Sequence, residues 1–352
     1  MRQRTPATGA DDARQSSTPP AAGGRGRLFP VFVNKKVGYM DRTGKLVIAP
    51  QFDLPDDRDP EYDLISHFRD GLAGARRGRL WGFIDETGAW AIAPRFDSVD
   101  EFSDGLAAVS LDEKWGYIDR AGEFVVPPQF ESADKFSEGL ASVQLPARGD
   151  EVGRYGYIDK TGRMVIAPNF RAAYRFSEGL AGVQIGDRMG YIDASGAVAI
   201  KPQFAFVNEF SNGAAQVLTG RAVGEADKVE FIDRAGRVIM RPPVAVAGEY
   251  ADGMCVVMQF AGDLMLTGFM NERGEIAIES QYGDARGFAE GLAPVELVGD
   301  TLWGYIDKEG QIVIRPAFDR ADSFDGGLAR VTVDDKIGYI DRSGQYVWKP
   351  TS

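Results

Sequence analysis

One sequence unit recurs along this chain of 352 residues and constrains its fold more than any other feature. Each copy contains a four-residue turn that starts with aspartate, or once with asparagine, and ends with glycine. The turns are Asp41–Gly44, Asp85–Gly88, Asp119–Gly122, Asp159–Gly162, Asp193–Gly196, Asp233–Gly236, Asn271–Gly274, Asp307–Gly310 and Asp341–Gly344. Successive turns start 34 to 44 residues apart, and 34 is the commonest spacing. A period in this range is typical of repeat architectures, in which one small unit stacks on the next.

Each unit contains three short apolar segments. The first follows a glycine, as in "EGLASVQL" at 138–145, the second resembles "WGYID" at 115–119, and the third resembles "RMVIAP" at 163–168. Alternating, β-branched and aromatic residues indicate strands, and the aspartate–glycine turn joins the second strand to the third as a hairpin. The sequence therefore predicts an all-β fold of tandem antiparallel β-meander repeats.

Aromatic residues and a second glycine also recur at fixed places. One phenylalanine follows the proline that ends the third strand, as Phe130 does, and another precedes the next unit, as Phe136 does. We expect these two rings to fill the space between neighbouring units. The glycine of the "WG" pair lies inside a strand, where it weakens pairing unless something packs closely against it. A neighbouring backbone or an aromatic ring could make that contact, and a ring from the adjacent unit is the first candidate.

Two arrangements of the units are compatible with the sequence. Residues 26–41 align without gaps on residues 326–341, so the first unit has its own first strand and the chain ends share none. Nine units also exceed the usual four to eight blades of a propeller. Both observations favour an open, curved or superhelical array. The connecting segment at 130–139 could supply a fourth strand, so a β-propeller is the alternative.

The chain divides into a tail and one repeat domain. Residues 1–26 are rich in Ser, Thr, Pro, Ala, Gly and Arg, and we predict a disordered tail there, followed by a nine-unit domain at 27–350. The tail has no apolar segment of the secretory type, and Cys255 is the single cysteine, so we expect a cytoplasmic protein.

Charge narrows the class of partner. The net charge of −12 disfavours nucleic acid and anionic membranes, because phosphate groups are bound by clustered Lys and Arg. It suits a protein or peptide partner of basic character. The sequence gives no oligomeric state.

The repeated unit resembles the WG-repeat, or KWG-repeat, family of bacterial proteins over nearly all of residues 27–350. Departures occur in units 6 and 7, where Glu230 replaces the motif glycine, Asn271 begins the turn, and "GMCVV" at 253–257 replaces the usual first strand. The resemblance implies a β-repeat scaffold for interaction. It implies no catalytic residues shared across the family.

Candidate chemical groups are few. Each turn aspartate stands without a second acid at fixed spacing, whereas Ca²⁺ needs six to eight converging oxygens. His67 is a single histidine in the acidic insertion 53–68, and Cys255 lies in the apolar run "MCVVM", where a free cysteine is usually buried. No nucleophile elbow, phosphate-binding loop or cofactor motif is present. The sequence therefore indicates no catalytic, metal-binding or cofactor-binding residue.

Two features suggest a binding surface. The residue before the first-strand glycine is acidic in six units, and we call this set the acidic ladder: Asp70, Asp104, Glu138, Glu178, Asp252 and Glu290. It can be a row of solvated turns or a stripe that binds a basic partner. The second feature is the irregular, methionine-rich segment 218–270, for which we predict the partner-specific contact.

The sequence thus predicts a non-enzymatic interaction scaffold that binds a protein or peptide along the repeat surface. The alternative is a glycan-binding module that stacks exposed aromatic rings on sugars. Burial of Trp81, Trp115 and Trp303 between units would favour the scaffold, and their exposure in a row would favour the glycan module. A third hypothesis is a hydrolase with its site in the irregular loops.

Overall fold

The computed structural model describes residues 27–54, 67–147, 153–220, 228–242, 246–262, 264–299 and 301–351. All regular secondary structure within these ranges is β-strand, arranged in small antiparallel sheets. The prediction of an all-β fold of tandem meander repeats is confirmed. The predicted tail at 1–26 and most of the acidic insertion, residues 55–66, lie outside the described residues.

We number the units 1 to 9 in chain order, and each has a first, a second and a third strand. Unit 1 consists of β1 (Leu28–Val33), β2 (Lys36–Asp41) and β3 (Leu46–Asp53). Unit 2 consists of β4 (Leu72–Arg77), β5 (Leu80–Asp85) and β6 (Trp90–Phe96).

From unit 3 onwards the connector, which we define as the segment between one unit's third strand and the next unit's first strand, adds a fourth strand. Unit 3 consists of β7 (Ser98–Val99), β8 (Ala107–Leu111), β9 (Lys114–Ile118) and β10 (Phe124–Phe130). Unit 4 consists of β11 (Ser132–Ala133), β12 (Leu140–Gln144), β13 (Tyr155–Asp159) and β14 (Met164–Phe170). Unit 5 consists of β15 (Ala173–Ser177), β16 (Leu180–Ile185), β17 (Arg188–Asp193) and β18 (Val198–Phe204).

Units 6 to 9 follow the same plan with one fusion. Unit 6 consists of β19 (Phe206–Val207), β20 (Ala214–Thr219), β21 (Lys228–Asp233) and β22 (Val238–Met240). Unit 7 consists of β23 (Val246–Ala251), β24 (Met254–Ala261), β25 (Leu264–Asn271) and β26 (Ile276–Ala285). The end of β26 pairs with unit 8, which consists of β27 (Ala293–Leu297), β28 (Trp303–Ile306) and β29 (Ile312–Phe318). Unit 9 consists of β30 (Arg320–Ala321), β31 (Leu328–Val333), β32 (Lys336–Asp341) and β33 (Tyr346–Thr351).

The turn between the second and third strands has the geometry that its residues predict. In unit 3 the Gly122 N–H donates to the carbonyl oxygen of Asp119 at 3.0 Å. The Asp119 carboxylate accepts the N–H groups of Ala121 and Glu123, both at 2.9 Å. Gly122 has φ +85°, a conformation that only glycine adopts without strain. Aspartate and glycine together therefore specify this hairpin locally.

The glycine of the "WG" pair packs against its own unit and not against an aromatic ring of the next one. A Cβ atom on Gly116 would lie 2.5 Å from the carbonyl oxygen of Val126 and 2.7 Å from the nitrogen of Pro128. Val126 and Pro128 lie on the third strand of the same unit, where a register shift brings the backbone close. The contact is therefore made by backbone, one of the two possibilities that the sequence offered. The first candidate, a ring of the adjacent unit, is wrong because a bulged backbone occupies that position.

The apolar cores lie between neighbouring units. One cluster joins Tyr117, Val126, Phe130 and Phe136 to Ala141, Val143 and Ile158 of unit 4. The connector ring of Phe136 meets the Tyr117 ring with centroids 4.8 Å apart. The prediction that two rings per unit fill the space between units is confirmed.

The first and last units also pack against each other. Arg27 pairs with Asp325, and the rings of Phe29 and Tyr339 meet edge to face with centroids 5.9 Å apart. One apolar cluster contains residues of units 1, 2 and 9. The nine units thus close into a propeller-like ring. The sequence favoured an open array and kept a β-propeller as the alternative, and the contacts between the first and last units support the propeller.

Closure follows from one interface used at every step. The turn glycine of each unit sits on the third strand of the unit before it, as Gly344 sits on Ile314, with 3.0 Å between its ideal Cβ position and Cγ2. Gly44 of unit 1 sits in the same way on Val347 of unit 9. Two complementary faces that meet directly need no strand shared between the chain ends, which is why the gapless alignment of the ends did not exclude a ring.

Candidate interaction surface

The acidic ladder forms hydrogen bonds between units. The Glu138 carboxylate accepts the Gly179 N–H at 2.9 Å, and the Asp252 carboxylate accepts the Gly291 N–H at 2.7 Å. Asp104, Glu178 and Glu290 make the same bond to the following unit. Each ladder residue, including Asp70, has a φ between 51° and 54°. The structure therefore brings these carboxylates into one row and uses the oxygens of five of them in the contact between units.

Cations from the next turn accompany two members of the ladder. Lys160 lies 3.6 Å from Asp104, and Lys308 lies 3.0 Å from Asp252. The hydrogen bond from Lys308, with that from the Gly291 N–H, holds the pKa of Asp252 below its usual value. The ladder is thus an interface between units in its own right, and its use by an external partner stays a prediction.

A longer hairpin distinguishes unit 7 from the regular units. β24 and β25 have eight residues each, whereas β31 and β32 of unit 9 have six. The pairs Phe260↔Met265 and Ala261↔Leu264 lie beyond the two pairs that follow the motif glycine in unit 9. At about 3.3 Å per residue, the two extra pairs carry the hairpin about 7 Å past the regular length.

The end of this hairpin is apolar and exposed. The side chains of Phe260, Leu264 and Met265 are 70%, 58% and 50% exposed. We call these three residues the apolar tip. In unit 8 the turn between the first and second strands adds Val298, which is 49% exposed. Large apolar side chains clustered on a surface mark a site of association, because their exposure to water is unfavourable.

The sheet that carries the apolar tip also contains a pair of opposed acidic residues. Asp284 and Glu296 stand directly opposite each other in the ladder between β26 and β27, a pairing of like charges that destabilises a sheet. The first-to-second-strand turns of other units form the same face of the ring, which we call the hairpin face. Several of these turns carry exposed acids: Asp112, Glu113, Asp187, Asp334 and Asp335. A basic partner would reduce the repulsion between Asp284 and Glu296.

The departure at Glu230 has a local structural effect. Its side chain occupies the slot where other units place the motif glycine, and the third strand of unit 6, β22, ends at Met240 after three residues. Arg241 pairs with Glu230 at 2.8 Å in place of the usual backbone contact. Of the segment 218–270 that the sequence singled out, residues 221–227, 243–245 and 263 lie outside the described residues.

The tryptophans serve the cores. Trp303 is buried in the cluster between units 8 and 9, and Trp81 and Trp115 pack against the clusters of their own units. Trp90 and Trp348 pack against the cluster that joins units 1, 2 and 9. A row of exposed rings, the feature that would favour a glycan platform, is not formed by these five side chains.

Cys255 and His67, the remaining candidate groups, lie in different units. Cys255 is buried, its thiol donates to the Gly248 carbonyl at 3.0 Å, and burial raises its pKa to about 12. His67 is exposed and lies in the connector before the first strand of unit 2. Within the described ranges, no three His, Cys, Asp or Glu side chains converge in a way that could hold a metal ion. Nor does this part of the chain contain a helix with the length and apolarity of a membrane span.

Solved structures resemble the chain in fold only. The crystal structure of the eukaryotic initiation factor matches with a TM-score of 0.54 and 10% identity, over 93% of this chain and 85% of that one. Dipeptidyl peptidase 4 of Porphyromonas gingivalis matches with a TM-score of 0.46 and 8% identity, over 92% of this chain and 59% of that one. By the first of these matches, whose TM-score exceeds 0.5, the repeat β-structure resembles propeller-like scaffolds. No curated protein matches the chain.

A family model for the WG-containing repeat matches the chain eight times and covers more than half of it. The matched residues are 38–54, 59–80, 81–115, 115–145, 155–188, 189–220, 268–299 and 303–336. The gap at 221–267 contains Glu230, where the motif glycine is missing, and the long hairpin. The chain belongs to the WG-containing repeat family.

Proposed function

We propose that this ring is a non-enzymatic interaction scaffold that binds a protein partner through the apolar tip of unit 7. The exposure of Phe260 carries the proposal, because 70% of its side chain faces water at the end of a hairpin that the fold does not need. Regular units close the same hairpin two residue pairs earlier and still pack into the ring. Exposed aromatic side chains that enter a partner's pocket often supply much of the binding free energy.

The chemistry of the partner's surface follows from the apolar tip and from the acidic pair in the same sheet. An apolar groove would cover Phe260 and Leu264, and lysine or arginine elsewhere on the partner's surface would face Asp284 and Glu296. Such cations would remove the like-charge repulsion in that ladder pair. The net charge of −12 adds long-range attraction for a basic partner.

The glycan-binding alternative has weaker support. Sugar stacking needs the open face of an aromatic ring. Trp303 is buried in a core, and the other tryptophans are partly buried and pack against the cores between units. The exposed ring of Phe260 stands at a hairpin end among aliphatic side chains, which suits an apolar groove better than a sugar.

The apolar tip can be tested by a matched pair of double variants. Phe260→Ser with Leu264→Ser removes the tip, and Ile312→Ser with Val313→Ser removes two similarly exposed side chains from the third strand of unit 8. Each protein is used as bait in a lysate of the native cell, and the Kd of a recovered partner is then measured. We expect binding at least tenfold weaker for the first variant, unchanged binding for the second, and weaker binding of the parent at higher salt.

Two outcomes would overturn the proposal. In the first, the Phe260 and Leu264 variant remains folded by circular dichroism and binds the partner like the parent. In the second, both double variants lose binding equally, which would show that surface apolarity in general and not the apolar tip is responsible.

A further inference from the structure

Three arginines line one cavity between units 8 and 9. Arg286 comes from the connector before unit 8, Arg320 from the fourth strand of unit 9, and Arg330 from its first strand. Asp322 and Thr332 complete the polar part of the lining. Two backbone elements of unit 9 and one connector of unit 8 therefore direct cationic groups toward the same space.

Each arginine is exceptional at its own position in the repeat. The residues that correspond to Arg286 in other connectors are Ser66, Asp100, Asp134, Tyr174, Asn208, Gly248 and Asp322. Those that correspond to Arg320 are Leu64, Ser98, Ser132, Ala172, Phe206, Val246 and Asp284. Those that correspond to Arg330 are Pro30, Gly74, Ala108, Ser142, Gly182, Gln216, Val256 and Pro294. Three cations at three different positions of the repeat thus converge on one cavity, although the other units contain no cation at any of them.

The arginines are held in place by specific contacts. Asp322 accepts from Arg286 through one carboxylate oxygen and from the Nε of Arg330, at 2.5 Å, through the other. The Arg286 guanidinium also lies 5.6 Å from the ring centre of Trp303, which is buried. A guanidinium has five N–H donors, and the carboxylate and the aromatic face fix the orientation of the Arg286 group at the cavity.

The lining has the charge for an oxyanion. It contains three guanidinium groups and one carboxylate, in a chain whose net charge is −12. The cavity of about 30 Å³ has room for about two water molecules. Guanidinium groups match the geometry of phosphate oxygens better than any other side chain does.

We propose that this cavity, which we call the arginine site, binds a phosphate group. Its ligands are Arg286, Arg320 and Arg330, and the Thr332 hydroxyl is a further donor. The ligand is either inorganic phosphate or the phosphate of a monoester, since both present the same oxygens. The proposal is independent of the apolar tip, which lies on the hairpin of unit 7.

Isothermal titration of the full chain tests the arginine site. Phosphate is titrated at constant ionic strength, with sodium chloride as the reference anion, into the parent and into Arg286→Gln, Arg320→Gln and Arg315→Gln. Arg315 is an exposed arginine on the third strand of unit 8, outside the cavity, and it serves as the control. We expect phosphate to bind the parent and the Arg315 variant with equal affinity. Its affinity for the Arg286 and Arg320 variants should be at least tenfold lower.

The Arg320 variant keeps the test valid if loss of Arg286 disturbs the contact between units 8 and 9. A parallel titration with O-phosphoserine identifies the source of the group: binding at least as tight as that of phosphate supports a monoester, and binding of phosphate alone supports the free anion. Absence of phosphate binding to the parent, or equal binding to the Arg315, Arg320 and Arg286 variants, would overturn the proposal.

Discussion

Two glycines of the regular unit meet different physical needs at the scale of single residues. Gly122 has a positive φ and also faces the side chain of Ile92 in the preceding unit, with 2.9 Å between its ideal Cβ position and Cγ2. Gly105 has a positive φ of 87°, but no atom lies within 4 Å of its ideal Cβ position. The same residue type therefore serves backbone conformation alone in one place and conformation plus contact in the other.

This difference predicts unequal effects of one substitution. Gly105→Ala should cost about 1–2 kcal/mol, the strain of a left-handed conformation with a Cβ atom. Gly122→Ala should cost at least about 1 kcal/mol more, because the added methyl group also collides with Ile92. Urea unfolding of the two variants measures the difference. Equal losses would show that the contact between turn and preceding unit adds nothing to stability.

The turn itself was predictable from sequence, and its contact was not. Aspartate and glycine three residues apart act through local hydrogen bonds and a local φ, which adjacent residues determine. The contact of Gly122 with Ile92 depends on how two neighbouring units are oriented relative to each other. No residue in the turn reports that orientation.

Strand length shows how one residue controls a whole element. Where the motif glycine is present, as at Gly116, the bulged third strand approaches to a distance that leaves no room for a Cβ atom. Where Glu230 replaces it, the third strand of unit 6 ends after three residues. The loss of the glycine therefore coincides with a shortened third strand, and we attribute the shortening to the space that the Glu230 side chain occupies.

A matched pair of alanine substitutions tests this relation. Gly116→Ala should destabilise the chain by about 1–3 kcal/mol, because its Cβ would overlap the backbone of Val126 and Pro128. Glu230→Ala should change stability by less than about 1 kcal/mol, since the side chain is already accommodated and loses only an ion pair with the largely exposed Arg241. Thermal and urea unfolding provide the comparison. A larger loss at Glu230 than at Gly116 would contradict this account of the bulge.

The long hairpin had a sequence signal that methionine content obscured. Gly268 lies 15 positions after Gly253 in unit 7, whereas Gly338 lies 11 positions after Gly327 in unit 9. That spacing is enough to predict a longer loop or a longer hairpin. Which of the two forms, and which side chains face water, depends on pairing across the strands and on the neighbouring units.

At the scale of the whole molecule, the number of units and their order were readable from the sequence, but the closure was not. The angle between adjacent units accumulates over nine steps, so a small rotation at each interface decides between a helix and a ring. That rotation is set by packing at contacts such as Tyr117 with Phe136. The arginine site was hidden for a related reason, because its three cations come from different positions of the repeat.

Closure can be measured with pairs of spin labels on exposed turns. Lys35 of unit 1 and Asp335 of unit 9 are equivalent turn residues across the seam, and Lys35 with Arg79 of unit 2 is the matched pair across an ordinary interface. After substitution to cysteine, electron–electron distance measurements should give similar distributions for both pairs, while the buried Cys255 remains unlabelled. In an open stack with about 10 Å between sheets, the seam pair would be about 80 Å apart, and such a distance would refute the ring.

The ring restricts how this chain can evolve. An open stack gains or loses a copy at either end at the cost of one interface, so its length drifts freely between relatives. A circle of nine equal wedges has no vacant position, because a tenth wedge cannot enter without changing every angle, and removing one leaves two apolar faces bare. Copy number is therefore fixed, and diversification is confined to loops that grow outward, as the hairpin of unit 7 has done.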